Sequence, residues 1–200
     1  MVKTVDYYFA PQSPWSYLGH ERFVALAREQ NAQVVLKPFD LGKVMSVSGG
    51  VPLAKRAPQR QAYRMQELAR WAAHLGMPLN LQPKFFPVPP ELAAKLILAT
   101  RTGPGMDAAL MLAGAIMRGL WAEDRNISDE TGLEQIANSC GLDGPMLVKA
   151  AATPGMQAEY EKNTDDAMAA SVFGAPWYVV DGEGFWGQDR LDFVGRALAK

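Results

Sequence analysis

The 200-residue chain has one cysteine, Cys140, two histidines and no surplus of either charge sign. A lone cysteine cannot close an intramolecular disulfide, and it excludes dithiol chemistry within the chain. That count also fits a reducing compartment. His20 and His74 stand apart from any acidic or thiol cluster at metal-ligand spacing, so no metal site is expected. With 20 Lys and Arg against 21 Asp and Glu, the formal net charge is -1, and no global basic field would gather nucleic acid or an anionic membrane. No segment approaches the ~20 apolar residues that span a bilayer, and residues 1–6 lack the apolar stretch and cleavage site of an export signal. A cytoplasmic protein with neither a nucleic-acid nor a membrane partner is expected.

What the chain does have is an α/β opening. Lys3 to Phe9 is rich in β-branched and aromatic residues, stops at Ala10-Pro11, and reads as a buried strand. Ser13 is a good N-cap and Pro14 holds the favoured first helical position, with apolar residues recurring at helical spacing through Ala27. Gln33 to Phe39 reads as a second strand, which completes a βαβ unit whose strands run parallel. From Pro58 to about Cys140 the apolar pattern is helical throughout, with runs at 62–72, 92–100 and 106–120. A further helix is expected over 158–173, closed by Gly174, then a strand at 176–180, a turn at 181–184, a short strand at Phe185-Trp186 and a last helix over 191–199.

The order β-α-β, helical insertion, α-β-β-α is that of a thioredoxin-like fold with an all-helical insertion between its βαβ and ββα halves. The expected division assigns residues 1–50 and 155–200 to the thioredoxin-like part and 51–154 to the insertion. In such folds the active site lies at the N-terminus of the first helix, opposite a cis-proline before the third strand. Ala175-Pro176 stands at that place.

Ser13-Pro14-Trp15-Ser16 occupies the position of a redox Cys-x-x-Cys, with hydroxyls at both ends. A hydroxyl at a helix N-terminus can still donate to a thiolate, because first-turn N–H groups and the helix dipole favour an anion there. The sulfur would then have to come from outside the chain. Alone, Ser13 reads more readily as a cap.

The segment Phe9-Ala10-Pro11-Gln12-Ser13-Pro14-Trp15-Ser16-Tyr17-Leu18-Gly19 resembles the start of 2-hydroxychromene-2-carboxylate isomerases and of the related kappa-class glutathione transferases. Residues 48–56, Tyr63-Arg64, Arg70-Trp71, 83–87, 172–176 and 186–191 extend the resemblance over most of the chain. It implies that Ser13 is the catalytic serine, that glutathione is the cofactor and that the protein is a homodimer. It further implies that Ala175, before Pro176, pairs its backbone with the glutathione cysteinyl unit, and that Gln188 and Asp189 receive the γ-glutamyl end. Lys55, Arg56 and Arg60 are candidates for the glycine carboxylate or a substrate carboxylate, against the alternative of a solvated basic face. Trp15 and Phe86 are candidate walls for a planar substrate, against the alternative of core packing. The sequence departs from the kappa-class pattern at Gly49-Gly50, where those relatives carry an asparagine.

The resemblance implies a glutathione-dependent isomerase acting on a small aromatic carboxylate in aromatic catabolism, by reversible thiolate addition. A kappa-like transferase and a noncatalytic thioredoxin-like binding module are the alternatives.

Overall fold

The computed structural model describes residues 2–200. Strand β1 (Thr4–Phe9) is followed by α1 (Pro14–Glu29) and β2 (Gln33–Pro38), and β1 and β2 pair in parallel from Thr4↔Gln33 to Phe9↔Pro38. After the helical segments come β3 (Trp177–Val180) and β4 (Glu183–Trp186), both antiparallel to their neighbours, which gives the sheet order β2-β1-β3-β4. Asp181 (φ 49°) and Gly182 (φ 83°) form the two-residue turn between β3 and β4, and both take the left-handed conformation that such a hairpin requires.

Six helices occupy the middle of the chain: α2 (Leu41–Ser48), α3 (Pro58–Leu75), α4 (Glu91–Thr102), α5 (Met106–Ala122), α6 (Glu130–Ser139) and α7 (Gly144–Ala151). Helix α8 (Pro154–Ala169) leads back to β3, and α9 (Leu191–Leu198) closes the fold. This is a thioredoxin-like α/β fold with a helical insertion.

Alternation along the strands divides the core by face. Val5, Tyr7, Phe9, Tyr178 and Val180 belong to one large cluster that also takes in Leu18 and Phe23 of α1, Leu96 and Ile97 of α4 and Leu112 and Ile116 of α5. The sheet and the helical module therefore share one continuous core. Tyr8, Trp177 and Phe39 point the other way and pack with Val44 of α2 and Ala167 of α8.

Two expectations need correction. The helix expected over 158–173 begins and ends four residues earlier, because Pro154 starts it behind Thr153 and Ser171 (φ 57°) terminates it. The Ser171 N–H donates to the Met168 carbonyl and the Val172 N–H to the Ala167 carbonyl, the paired closure of a Schellman end with serine at the left-handed position usually held by glycine. Gly174 is therefore not a C-cap. It lies under Trp186, and a Cβ there would collide with the Trp186 ring. Helix α2, for which no expectation was drawn, is set by the Asp40 cap, whose carboxylate accepts from the Lys43 N–H at 3.0 Å, and by left-handed Gly49 (φ 77°) at its end.

Candidate active site

The N-terminus of α1 is built by Ser13. Its backbone is extended (φ -82°, ψ 123°), its hydroxyl oxygen accepts from the Ser16 N–H at 3.2 Å, and its carbonyl accepts from the Tyr17 N–H at 3.1 Å. Pro14 has no N–H to satisfy. The Trp15 N–H is thus the first-turn donor without a partner among the described residues.

Because the cap uses only an acceptor lone pair of Ser13 Oγ, the hydroxyl hydrogen remains free to rotate. It donates to the Ala175 carbonyl at a long 3.4 Å. Ser13 is 6% exposed, so this proton faces a restricted space instead of bulk water. Ser16, the second hydroxyl of the motif, is fully buried and its Oγ has no partner among the described residues.

Opposite Ser13, the Ala175-Pro176 bond is cis, as expected from the fold; a second cis bond at Phe86-Pro87 was not foreseen. The Pro176 carbonyl accepts from the Gly187 N–H at 2.9 Å, which ties the cis-proline loop to the end of β4. Gly187 (φ 103°) then turns the chain into a 3-10 turn, Gln188–Arg190, that precedes α9.

Gln188 is 2% exposed, and Arg22 of α1 donates to its side-chain oxygen at 2.6 Å. A Cβ on Gly19 would stand 2.6 Å from Gln188 Cβ, so the missing side chain at Gly19 lets this turn seat on α1. Asp189 is exposed and pairs with the adjacent Arg190 at 2.6 Å.

These elements enclose a cavity of about 540 Å³ between the cis-proline loop, the 188–190 turn and one face of α3. Of the residues singled out from sequence, Trp15, Arg56, Arg60, Ala175, Gln188 and Asp189 line it together. Ser13 and Pro176 are buried beside it, with Ser13 against Ala175. Lys55 sits in an exposed 3-10 turn (Leu53–Lys55) outside the lining, and Phe86 lies beneath the Arg64 guanidinium, also outside it. Tyr63, Arg64 and Trp71 of α3 line the cavity too but were not singled out for it; their spacing at 63, 64 and 71, with Arg60 and Glu67, is one face of a helix.

The cavity is basic. Arg56, Arg60, Arg64 and Arg190 line it against Glu67 and Asp189, and both carboxylates already pair, Glu67 with Arg70 and Asp189 with Arg190. Burial, followed by the neighbouring guanidinium of Arg60, pushes the Arg56 pKa down; burial and then Arg56 do the same to Arg64. Guanidinium groups stay protonated under such shifts, so the shifts mark cations held close together with too little water or counter-charge.

A family model of the DSBA-like thioredoxin domain matches residues 4–199. The chain is 33% identical over 195 residues to a 2-hydroxychromene-2-carboxylate isomerase of Sphingobium xenophagum, covering 97% of both chains. The chain belongs to this isomerase family. A solved 2-hydroxychromene-2-carboxylate isomerase structure superposes with a TM-score of 0.81 at 25% identity, covering 98% of this chain and 94% of that one. The family borders the kappa transferases: glutathione S-transferase kappa 1 of Caenorhabditis elegans is 28% identical, over 97% of this chain and 90% of its own.

Proposed function

We propose that the protein is a glutathione-dependent isomerase that interconverts 2-hydroxychromene-2-carboxylate and trans-o-hydroxybenzylidenepyruvate, or a similar aromatic catabolite. The observation that carries this reading is the Ser13 hydroxyl, capped onto α1 yet free to donate, facing Ala175 on the wall of a basic cavity. A thiolate near the α1 N-terminus receives the Ser13 proton and the Trp15 N–H, both charge-assisted contacts. The chain supplies no sulfur of its own here. Cys140 sits at the C-terminus of α6, and burial pushes its thiol pKa up, away from reactivity.

In the reaction the glutathione thiolate forms a C–S bond to the benzylic alkene carbon, the double bond shifts to the hemiketal carbon, and the C–O bond to the phenolate oxygen breaks, which opens the ring and leaves an enol. The new single bond rotates, the enol proton passes to the phenolate, and formation of the ketone with C–S cleavage restores the double bond and returns the thiolate. No electron is gained or lost overall, and glutathione is recycled.

In the bound cofactor the Ala175 backbone pairs with the cysteinyl unit as an added strand would. Asp189 meets the γ-glutamyl ammonium by exchanging its partner Arg190, and Gln188, held by Arg22, fixes the turn that presents it. Arg56, which lines the cavity, meets the glycine carboxylate. The reading includes a homodimer in the cytoplasm, where glutathione is reduced.

Product analysis tests it. With glutathione far below substrate concentration, the isomerase reading requires full equilibration and unchanged free thiol. Stoichiometric loss of thiol into a stable conjugate identifies a transferase, and binding of glutathione without turnover leaves a binding module.

A further inference from the structure

Arg64 occupies an unusual position among the cavity cations. It is half-buried, its guanidinium lies over the rings of Phe86 (5.6 Å to the centroid) and Trp121 (5.9 Å), and its one polar contact among the described residues is a weak 3.9 Å approach to Met65 Sδ. No carboxylate pairs with it among the described residues. The aromatic faces offset part of the cost of taking this charge out of water, but they offer its N–H donors no oxygen acceptor.

The other cavity arginines differ. Arg56 donates to the Val51 carbonyl at 2.7 Å, Arg60 is exposed, and Arg190 holds Asp189. The two rings hold the Arg64 guanidinium at the cavity wall, and its planar fork matches a carboxylate through two parallel hydrogen bonds. Half-buried Trp15 and Trp71 line the same cavity and offer flat apolar surface.

Resting on the glutathione reading above, which assigns the glycine carboxylate to Arg56, we propose that Arg64 anchors the carboxylate of the second, planar substrate and sets a preference for anionic over neutral electrophiles. Two parallel hydrogen bonds fix the orientation of that carboxylate as well as its position. Ala175, which the Ser13 hydroxyl touches, lines the same cavity. Arg64 is a substrate-binding residue on this assignment, separate from those that hold glutathione.

Calorimetric binding of coumarin-3-carboxylate and of its neutral ethyl ester, to the glutathione-loaded protein, tests the assignment without requiring turnover. Wild-type protein should favour the carboxylate by about tenfold or more, as expected for a bidentate charged contact. Arg64→Met, which keeps the aliphatic stem, should abolish that preference while glutathione affinity stays within about twofold. Arg64→Lys, which keeps charge but not the fork, should fall between them, and thermal melting of each variant checks folding. The inference is overturned if wild type shows no preference, if Arg64→Met retains it, or if the loss appears in glutathione affinity instead. A preference that depends on Arg64 in a protein that isomerises nothing would uphold the anchor and overturn the isomerase reading alone.

Discussion

The hydroxyl of Ser13 lies 3.4 Å from the carbonyl oxygen of Ala175, which joins the cap of α1 to the residue before the cis-proline. A hydroxyl hydrogen held by so long a bond is readily redirected to a better acceptor. Its other role, accepting from the Ser16 N–H, persists whichever way the hydrogen points.

Replacing Ser13 by Ala separates these two roles. Loss of the cap costs about 1 kcal/mol of stability. Loss of a charge-assisted hydrogen bond to a thiolate, about 1.5–3 kcal/mol, should lower kcat/KM by roughly 10- to 100-fold. Paired measurement of melting temperature and glutathione-dependent turnover decides the matter. Activity that falls only in step with stability would leave Ser13 a cap.

Gly19 should be sensitive for a reason that lies in its neighbour. A methyl group there meets Gln188 Cβ at 2.6 Å, so Gly19→Ala must push the 188–190 turn away from α1 and loosen the Arg22 contact. Overpacking of this kind costs about 1–3 kcal/mol. Because the displaced turn carries Asp189, the dissociation constant of glutathione should rise as well, by calorimetry about tenfold. A destabilised variant with unchanged glutathione affinity would detach this turn from the site.

Much of the thioredoxin-like frame was legible because its signals are local. Short runs of β-branched and aromatic residues beside a proline marked β1, β2 and β3, and Ser13-Pro14 marked the start of α1. Helix α8 was misjudged because Ser171 takes a left-handed conformation that its residue type does not announce, and Gly174 offered a more obvious stop. Helix α2 is short, so the Asp40 cap carried its only strong signal. In the site, residues near Ser13 and Pro176 could be placed from the fold order, whereas Arg64 and Trp71 could not. Their presence in the cavity depends on how α3 packs against α1, and a helical face alone does not say what it faces. Phe86 shows the converse: an aromatic residue in a suggestive segment, which the fold uses as a platform under Arg64.

His20 gives the fold a pH dependence near neutrality. Its Nε2 donates to the Leu110 carbonyl at 2.9 Å, which leaves Nδ1 to accept from the Tyr7 hydroxyl at 3.2 Å, and so links α1 to α5 and β1. Burial lowers its pKa below the ordinary 6.5, outweighing the Leu110 bond and the nearby Glu21 carboxylate, which raise it. A depressed folded-state value means that the stability it contributes is present above the unfolded pKa and is lost as pH falls below it. Melting temperature should therefore drop as pH falls below about 6.5, and less so in His20→Gln, where the titrating group is gone. An equal drop in both proteins would assign the effect to carboxylates elsewhere.

The ionisation of bound glutathione bears most directly on the proposed chemistry. Titrating the ultraviolet absorbance of the thiolate in the binary complex yields its pKa, to be compared with about 8.5 for a free thiol. Stabilisation by Ser13 and the α1 N-terminus predicts a value at least about one unit lower in the wild type and a partial return toward 8.5 in Ser13→Ala. A thiol pKa in the complex equal to that of free glutathione, or a lowered one indifferent to Ser13, would contradict it.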